Sequence, residues 1–285
     1  MKLKFSILVF QFGLLMAFSA HAQDRTQARS MVITRYGIVA TEQTLASQIG
    51  AAILSQGGNA VDAAVAANAG VGLFGPMLNG IGGDLFVIVY EAKSGKLYGL
   101  NASGWAPAGL TSEFLTSKGL SSMPQSGIHS VTVPGAVDGW DKLLHRFGRK
   151  KLSEVLAPTI RYAEEGFPVT EVFSSYWVGS EKKLRQDKNA AALYLPQGHA
   201  PRTGEIFRNP DLAWSLKQIA EHGRSAFYEG EIAKRLLAYS KSLGGTMATE
   251  DLASYSGEWV EPISTTYRGW TVYELPPNGQ GIAAL

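Results

Sequence analysis

Cysteine is absent from the 285 residues, which excludes disulfide bonds, thiol nucleophiles and Cys-ligated metal sites. Histidine is scarce, and no two of the five histidines have the i, i+4 spacing with a glutamate that a helix-borne zinc site requires. No block of like charge forms a basic footprint for nucleic acid. We therefore expect no metal, no cofactor and no nucleic-acid partner.

Long apolar runs are also missing, except near the start of the chain. Lys2 and Lys4 precede the apolar residues 5–18, and Ala20-His21-Ala22 has the small residues of a signal-peptidase site. The apolar stretch is short for a bilayer span, which needs about 20 residues, although a retained membrane anchor is the alternative. Residues 1–22 are predicted to be a signal peptide cleaved after Ala22. The mature protein is then periplasmic or secreted, without stable membrane insertion.

The composition that remains is that of a folded globular protein. Hydrophobic residues make up 45% of the chain and charged residues 18%, which is enough apolar surface to build a core. Residues 37–41 are predicted as a buried strand, followed by a helix that ends at Gly57-Gly58. Asn59 is predicted to cap a second helix, with Asp62 in its first turn.

The next segments predict a hairpin and then a helical middle. Residues 86–91 and 97–100 alternate as a β-hairpin does. Asn209-Pro210-Asp211 has the residue types of a helix start. Further glycines stand where helices commonly end in a left-handed residue: Gly148, Gly166, Gly223 and Gly244.

Other segments are predicted as surface or closing elements. Residues 179–207 are polar and contain two prolines, which favours a surface excursion and leaves open a domain boundary there. Residues 267–273 are predicted as one closing strand, residues 275–281 as a loop, and residues 282–285 as the first turn of a helix. The residues therefore predict an α+β protein with a helix-rich middle.

Two glycine-rich stretches admit both a functional and a structural interpretation. Residues 70–75 match the spacing of the dinucleotide-binding fingerprint, but they follow an Ala-rich helix instead of a strand, which favours helix termination. Residues 80–83 could be an anion-binding nest of backbone N–H groups or a bend that serves packing. No Lys-Ser or Lys-Thr follows this second stretch.

Conventional catalytic signals are weak. The pairs Glu164-Glu165 and Lys182-Lys183 are typical of solvated helix faces, and no Gly-x-Ser-x-Gly elbow is present. Trp105 follows a predicted strand, where it could serve either packing or function. Composition and spacing alone predict an exported α+β protein without an identified active site.

Eight segments, in order along the chain, resemble the gamma-glutamyltranspeptidase family. The most specific is Gly57-Gly-Asn-Ala-Val-Asp-Ala-Ala-Val65. The others are Val39-Ala-Thr-Glu42, Gly80-Ile-Gly-Gly-Asp84, Thr132-Val-Pro-Gly-Ala136, Asn209-Pro-Asp-Leu212, Ala226-Phe-Tyr-Glu-Gly230, Thr249-Glu-Asp-Leu252 and Glu274-Leu-Pro-Pro277. The resemblance covers residues 31–285 as one region.

The resemblance implies an Ntn-hydrolase fold, an αββα sandwich of which this chain supplies an incomplete large-subunit part. It also implies a precursor that cuts itself, so that the small subunit becomes the partner of the large one. The family nucleophile is the N-terminal Thr of the small subunit, with its own α-amino group as base. That Thr is expected beyond Leu285, so we expect no catalytic residue in this chain and no activity from this part alone.

For substrate binding, the resemblance implies a departure from the usual pattern. In the family, an Arg of the large subunit pairs with the α-carboxylate of the γ-glutamyl group. The position that matches this Arg holds Ser103 in this chain. In the acylase-like branch the Arg directly precedes Ala-Pro, and that position holds Trp105 here. The loop at 275–281 also resembles the acylase-like branch. We expect Ser103, Gly104 and Trp105 to line the acyl pocket and to favour less acidic or more apolar acyl groups.

The function implied by the resemblance is hydrolysis or acyl transfer on small-molecule amides, such as glutathione or related γ-glutamyl or acyl amides. One alternative is a non-catalytic exported binding or scaffold protein with the same fold. Another, which depends on residues 70–75 alone, is a nucleotide-binding protein.

Overall fold

The computed structural model describes residues 31–285, and the predicted signal peptide lies outside the described residues. Residues 37–285 belong to one structural unit, with no division at residues 179–207. The unit combines helices with one three-stranded and two two-stranded sheets, so it is of the α+β class. Within residues 31–285, no helix combines the length and the apolar character needed to cross a bilayer.

The elements follow one another in an order that leaves the middle of the chain helical. The helices are α1 (Thr44–Ser55), α2 (Ala60–Phe74), α3 (Ser112–Ser117), α4 (Ala136–Phe147), α5 (Leu152–Glu165), α6 (Glu171–Leu184), α7 (Lys188–Tyr194), α8 (Pro210–His222), α9 (Arg224–Tyr228), α10 (Glu231–Ser242), α11 (Thr249–Ala253) and α12 (Gly281–Ala284). The strands are β1 (Leu85–Glu91), β2 (Lys96–Ala102), β3 (Phe167–Pro168), β4 (Ile206–Phe207), β5 (Glu258–Val260), β6 (Ile263–Tyr267) and β7 (Trp270–Glu274).

Helix α2 begins as predicted at Asn59, whose side chain accepts hydrogen bonds from Val61 N and Asp62 N. The fully buried Asp62 carboxylate accepts in turn from Asn59 N at 2.7 Å. It also accepts from Arg149 N at 2.9 Å and Lys150 N at 3.1 Å, after the end of α4. The most specific family segment therefore caps one helix and ties it to a second.

Residues 37–41 were predicted as a buried strand, and that prediction is wrong. Within the described part of the chain they have no strand partner, and Ile38 is largely exposed. A strand needs a hydrogen-bonded neighbour, whereas Thr41 uses its backbone N–H and its hydroxyl on Ser47 and Gln43 at the start of α1. Helix α1 itself ends at Ser55, just before Gly57-Gly58, as predicted.

The predicted hairpin is confirmed as β1 and β2, paired antiparallel from Leu85↔Ala102 to Glu91↔Lys96. Strand β5 pairs with the other side of β2, so β1 and β5 are the two edges of this sheet. The inner face is buried against the helices, and Leu100 and Ala102 have no exposed surface. The outer face carries Phe86, Ile88 and Tyr90, which are all exposed.

The helical middle is confirmed, with two corrections. Gly166, Gly223 and Gly244 have positive φ angles at helix ends, but Gly148 does not; a side chain there would collide with Leu144 and Asp62. Residues 179–207 lie largely at the surface, as predicted, but they contain regular elements and are anchored to the core. They include the end of α6, α7 and β4. The stacked rings of Tyr194 and Phe207 pack against the buried ring of Trp177, which lies just before this stretch. Because most residues of this stretch are polar, the sequence pattern did not indicate these widely spaced aromatic residues.

The closing strand predicted at 267–273 is confirmed over residues 270–273, which belong to β7, but residues 268 and 269 form a turn that joins β7 to its antiparallel partner β6. Arg268 and Gly269 have φ angles of 51° and 82°, as a tight hairpin turn with two left-handed residues requires. An Arg in that conformation gives no sequence signal, which explains the error. Helix α12 begins at Gly281, one residue before the predicted first turn.

Candidate functional site

Ser103, Gly104 and Trp105 follow the end of β2 and lie against the segment that precedes α4. Gly104 has a φ angle of +88°, and a Cβ added there would lie 1.9 Å from the carbonyl oxygen of Val133. The carbonyl of Trp105 accepts a hydrogen bond from Val133 N at 2.8 Å. This close approach requires glycine, because any other side chain would push the two segments apart.

Trp105 is held at the surface by an aromatic contact. Its ring meets the ring of Tyr255 edge to face, with centroids 5.3 Å apart, and 45% of the residue stays exposed. Packing therefore fixes one side of the indole, while the other side is available to a ligand or a partner. The alternatives that the sequence left open for Trp105 are thus both compatible with its position.

Ser103 lies beside the loop that follows β7. Asn278 Nδ2 donates a hydrogen bond to Ser103 Oγ at 3.0 Å, and Asn101 Nδ2 donates to Asn278 Oδ1 at 2.8 Å. The backbone N–H of Ser103 donates to Asn101 Oδ1 at 3.1 Å. The two contacts of Asn278 join segments that are 175 or more residues apart in sequence. Three neutral polar side chains therefore form one patch beside Trp105.

Beneath the segment before α4 lies a buried polar cluster centred on Asp138. Its carboxylate accepts from Arg224 Nε at 2.6 Å and from Gly257 N at 2.7 Å, and it pairs with Lys142 Nζ at 3.1 Å. Arg224 also donates to the carbonyl of Tyr255. A buried carboxylate paired in this way holds elements together, and removal of one partner typically costs about 3–5 kcal/mol. We assign this cluster a structural role.

Two buried tyrosines extend the cluster to the surface segment. Tyr228 donates a hydrogen bond to Pro134 O at 2.7 Å and accepts one from Asp138 N at 3.2 Å, and burial raises its pKa. Its ring stacks on that of Tyr255 at 5.7 Å. The bond to Pro134 O holds the backbone next to Val133, which Gly104 and Trp105 contact.

The hydroxyl of Tyr255 differs from that of Tyr228. Burial, reinforced by the negative charge of Asp138, raises the pKa of Tyr255 to about 12. The N–H of Gly104 faces this oxygen and opposes the rise, but the contact does not meet the distance and angle of a hydrogen bond. The oxygen therefore has no hydrogen-bond partner within residues 31–285. Tyr255 supports Trp105 through its ring alone.

The glycine-rich stretches have structural roles. None of Gly80, Gly82 and Gly83 has a positive φ angle, so the alternating dihedrals of an anion nest are not formed. The carbonyl of Gly83 accepts from Gly135 N at 2.9 Å and anchors the start of α4. Residues 70–75 lie in and at the end of α2, where Gly70 packs against α1. The interpretation as helix termination is supported over dinucleotide binding.

Other candidate groups lie apart from this patch. Glu164 pairs with Lys217 on the surface, and Lys183 is exposed at the end of α6. An open cavity of about 520 Å³ is lined mainly by residues 125–131 and by α10, and it includes none of Ser103, Gly104 and Trp105. Residues 31–285 contain no cluster of three His, Asp or Glu side chains that could hold a metal ion.

The sequence alone did not indicate Asn278, Tyr255, Asp138 or Arg224 as neighbours of the predicted site. Asn278 lies in a loop that was singled out for its resemblance to one branch, but nothing in its spacing predicted a contact with Ser103. Tyr255, Asp138 and Arg224 belong to no motif that would predict a contact with the site. The assignment of Ser103, Gly104 and Trp105 to an acyl pocket stays a prediction.

Comparison with known proteins adds to this geometry. A family model described as gamma-glutamyltranspeptidase matches residues 46–285. The chain is 41% identical over 257 residues to the glutathione hydrolase-like YwrD proenzyme of Bacillus subtilis, which covers 89% of this chain and 48% of that protein. The chain spans less than half the length of the curated relatives it matches.

Two solved structures share the fold. Cephalosporin acylase from Bacillus halodurans superposes with a TM-score of 0.83 at 42% identity, over 90% of this chain and 50% of the acylase. Gamma-glutamyltranspeptidase from Helicobacter pylori superposes with the same TM-score of 0.83 at 30% identity, over 88% of this chain and 73% of that one. The higher identity to the acylase agrees with the resemblance of the 275–281 loop.

Proposed function

The chain belongs to the gamma-glutamyltranspeptidase family, and on that basis we propose that it is the large-subunit part of a self-processing Ntn-hydrolase that hydrolyses or transfers acyl groups of small-molecule amides. The observation that carries the proposal is the family match over residues 46–285, in relatives named as hydrolase proenzymes and as an acylase. The comparisons do not favour a non-catalytic scaffold, and no observation favours nucleotide binding.

The proposed reaction takes place in two steps. The N-terminal Thr of the small subunit attacks the amide carbonyl, its hydroxyl proton passes to the α-amino group and then to the departing amine, and an acyl-enzyme ester forms. Water or an amino acid then attacks the ester and releases the acyl group. In this scheme the present chain supplies no reacting atom, so its contribution is the wall that selects the acyl group.

We propose that this wall is formed by Ser103, Gly104 and Trp105. Neither Ser nor Trp can form the bidentate ion pair with which an Arg holds a carboxylate. The exposed part of the Trp105 ring offers apolar and aromatic contact instead. The enzyme is therefore expected to favour neutral or apolar acyl groups over the γ-glutamyl group.

The small subunit is the proposed partner, and the outer face of β1 is the proposed contact surface. Phe86, Ile88 and Tyr90 are 41%, 40% and 63% exposed on this face. A further exposed aromatic side chain is Trp270 on the β6–β7 hairpin, which is 78% exposed. Apolar side chains that alternate along the exposed face of an edge strand, as Phe86, Ile88 and Tyr90 do, are typical of an interface. Binding of the small subunit on this face would complete the αββα sandwich that the family resemblance implies.

Export to the periplasm or the medium is part of the proposal and depends on residues 1–22. Mass spectrometry of the complete protein recovered from an exporting cell tests this together with self-processing. We expect two chains, the larger one starting at Gln23 and the smaller one starting with Thr. A single uncut chain would contradict self-processing, and a larger chain that retains Met1 would contradict cleavage after Ala22.

Kinetics of the complete enzyme test the acyl preference. We expect low kcat/KM for glutathione, and a change in the ratio between neutral acyl amides and γ-glutamyl amides in Trp105→Ala. Ordinary efficiency with glutathione, combined with an unchanged ratio in Trp105→Ala, would contradict the proposed role of the wall.

A further inference from the structure

We infer that Asn278, together with Ser103 and Asn101, presents neutral hydrogen-bond donors to the far end of the acyl group, so that the enzyme selects acyl chains ending in an uncharged carbonyl acceptor such as a carboxamide. This inference rests on the proposed function, since it extends the acyl pocket from residues 103–105 to Asn278. It adds a specificity-determining residue from a different part of the chain.

The position of Asn278 follows from packing at the outer face of β2. A Cβ on Gly99 would lie 2.6 Å from Leu275 Cδ2, so the missing side chain leaves room for Leu275 to seat on the sheet. Leu275 is 8% exposed, which shows how closely this end of the loop is held. The following residues then bring the Asn278 amide to Asn101 and Ser103.

The hydrogen bonds fix which way each amide faces. Because the backbone N–H of Ser103 can only donate, the atom of Asn101 that it contacts is the carbonyl oxygen. The amide nitrogen of Asn101 therefore faces Asn278 and must meet its carbonyl oxygen, as the 2.8 Å contact shows. Asn278 Nδ2 is then left to donate to Ser103 Oγ at 3.0 Å.

This orientation leaves donor hydrogens free. Ser103 Oγ also lies 3.3 Å from Asn278 Oδ1, which is longer than a normal O–H···O bond of about 2.5–3.0 Å, so the hydroxyl hydrogen is not well used there. Each of the two amide nitrogens donates once in this network and has a second hydrogen. Neither Asn nor Ser carries a charge, so these donors suit a neutral acceptor and give no ion pair to a carboxylate.

The test uses three p-nitroanilides of similar acyl shape on the complete, mature enzyme. The acyl groups are 4-carbamoylbutanoyl, which ends in a carboxamide, 4-carboxybutanoyl, which ends in a carboxylate, and 5-methylhexanoyl, which is apolar. We expect the wild-type enzyme to favour the carboxamide over the apolar acyl group by about threefold to tenfold in kcat/KM, as one or two neutral hydrogen bonds provide.

Three variants separate recognition from structure. Asn278→Ala and Ser103→Ala are each expected to remove most of the carboxamide preference, and Asn278→Asp to lower kcat/KM for the carboxylate substrate further by repulsion. Gln186→Glu serves as the control. It introduces the same charge at an exposed position far from Asn278 in the sequence. Ser103→Ala retains the bond between Asn101 and Asn278, so it tests the donor without freeing the loop.

The outcomes are distinguishable. A changed ratio between the substrates in all three variants, and not in Gln186→Glu, supports the assignment. An equal loss on all three substrates would show that Asn278 only holds the loop, and it would overturn the assignment while the proposed function stands. Absence of nitroaniline release from every substrate by the wild-type enzyme would overturn the proposed function, and this assignment with it.

Discussion

The segment around Asp62 and the edge around Ser103 differ in almost every physical respect. Asp62 is fully buried, and its carboxylate accepts backbone N–H groups from two parts of the chain. Ser103, Trp105 and Asn278 lie at the surface, and their side chains keep unused bonding capacity. The first region carries the most specific motif of the family, whereas Ser103 and Trp105 stand where the family pattern has an Arg. The most specific motif here therefore marks a demanding fold element, and the residues of the proposed pocket wall lie elsewhere.

The largest effect expected from this contrast is on stability. Asp62→Ala leaves three backbone N–H groups without their acceptor, and we expect a loss of about 3 kcal/mol or more in the free energy of unfolding. Asp141→Ala is the control, because Asp141 forms a salt bridge only with the exposed His145 among residues 31–285. It should cost about 0.5 kcal/mol. Urea unfolding of the complete protein measures both, and similar losses would contradict the role of Asp62.

Two glycines with positive φ angles sharpen the comparison. Gly57 and Gly104 have φ angles of +85° and +88°, but an added Cβ meets nothing within 4 Å at Gly57. Gly57→Ala should therefore cost about 1 kcal/mol from backbone strain and leave substrate preference unchanged. Gly104→Ala must also displace Val133, and with it Ser103 and Trp105. We expect about tenfold or greater loss of kcat/KM from this misplacement. Equal activity of the two variants would place residues 103–105 outside the pocket.

The two stacked tyrosines provide a matched pair of smaller effects. Tyr228→Phe leaves Pro134 O and Asp138 N without a partner and should cost about 1–3 kcal/mol. Tyr255→Phe removes a hydroxyl that has no partner in the described part of the chain, so it should change the free energy of unfolding by less than about 0.5 kcal/mol. Urea unfolding at neutral pH compares them. A larger loss in Tyr255→Phe would show that its hydroxyl is hydrogen-bonded in solution.

The smallest effect concerns alkaline pH. The pKa of Tyr255 is raised to about 12 in the folded protein, so the folded state retains the phenol proton longer than the unfolded state does. This contribution to stability is present below the unfolded pKa of about 10 and is lost as the pH rises through the folded value. Between pH 9 and 11, wild-type protein should lose about 1 kcal/mol more than Tyr255→Phe. Parallel pH profiles would contradict the raised pKa.

Much of the fold could be predicted because its signals are local. The Asn59 cap, the hairpin at β1 and β2, and the start of α8 at Asn209 each depend on a few adjacent residues. The failures share a different cause. The unpaired segment at 37–41 and the anchored stretch at 179–207 depend on contacts with distant residues, and the β6–β7 turn depends on a left-handed Arg268. The local sequence pattern predicts none of these three features.

The candidate site was predictable only in part, for the same reason. Ser103, Gly104 and Trp105 were reached through family resemblance, because the chain departs there from the expected arginine. Asn278 and Tyr255 become their neighbours only when the chain folds, since the contact with Asn278 spans 175 residues. No periodicity or spacing rule connects residues over that distance. Contacts between residues far apart in sequence can be identified only from the folded structure.

Hydrogen exchange of the complete, mature protein tests the contrast between the two regions most directly. The measurement compares backbone amide exchange with and without saturating 4-carbamoylbutanoate, the acid released from the carboxamide substrate. We predict slower exchange at residues 101–105 and 275–281 when the acid is bound, and unchanged exchange at residues 57–65. Protection at residues 57–65, or no change at the two outer segments despite measured binding, would contradict the assignment of the pocket wall.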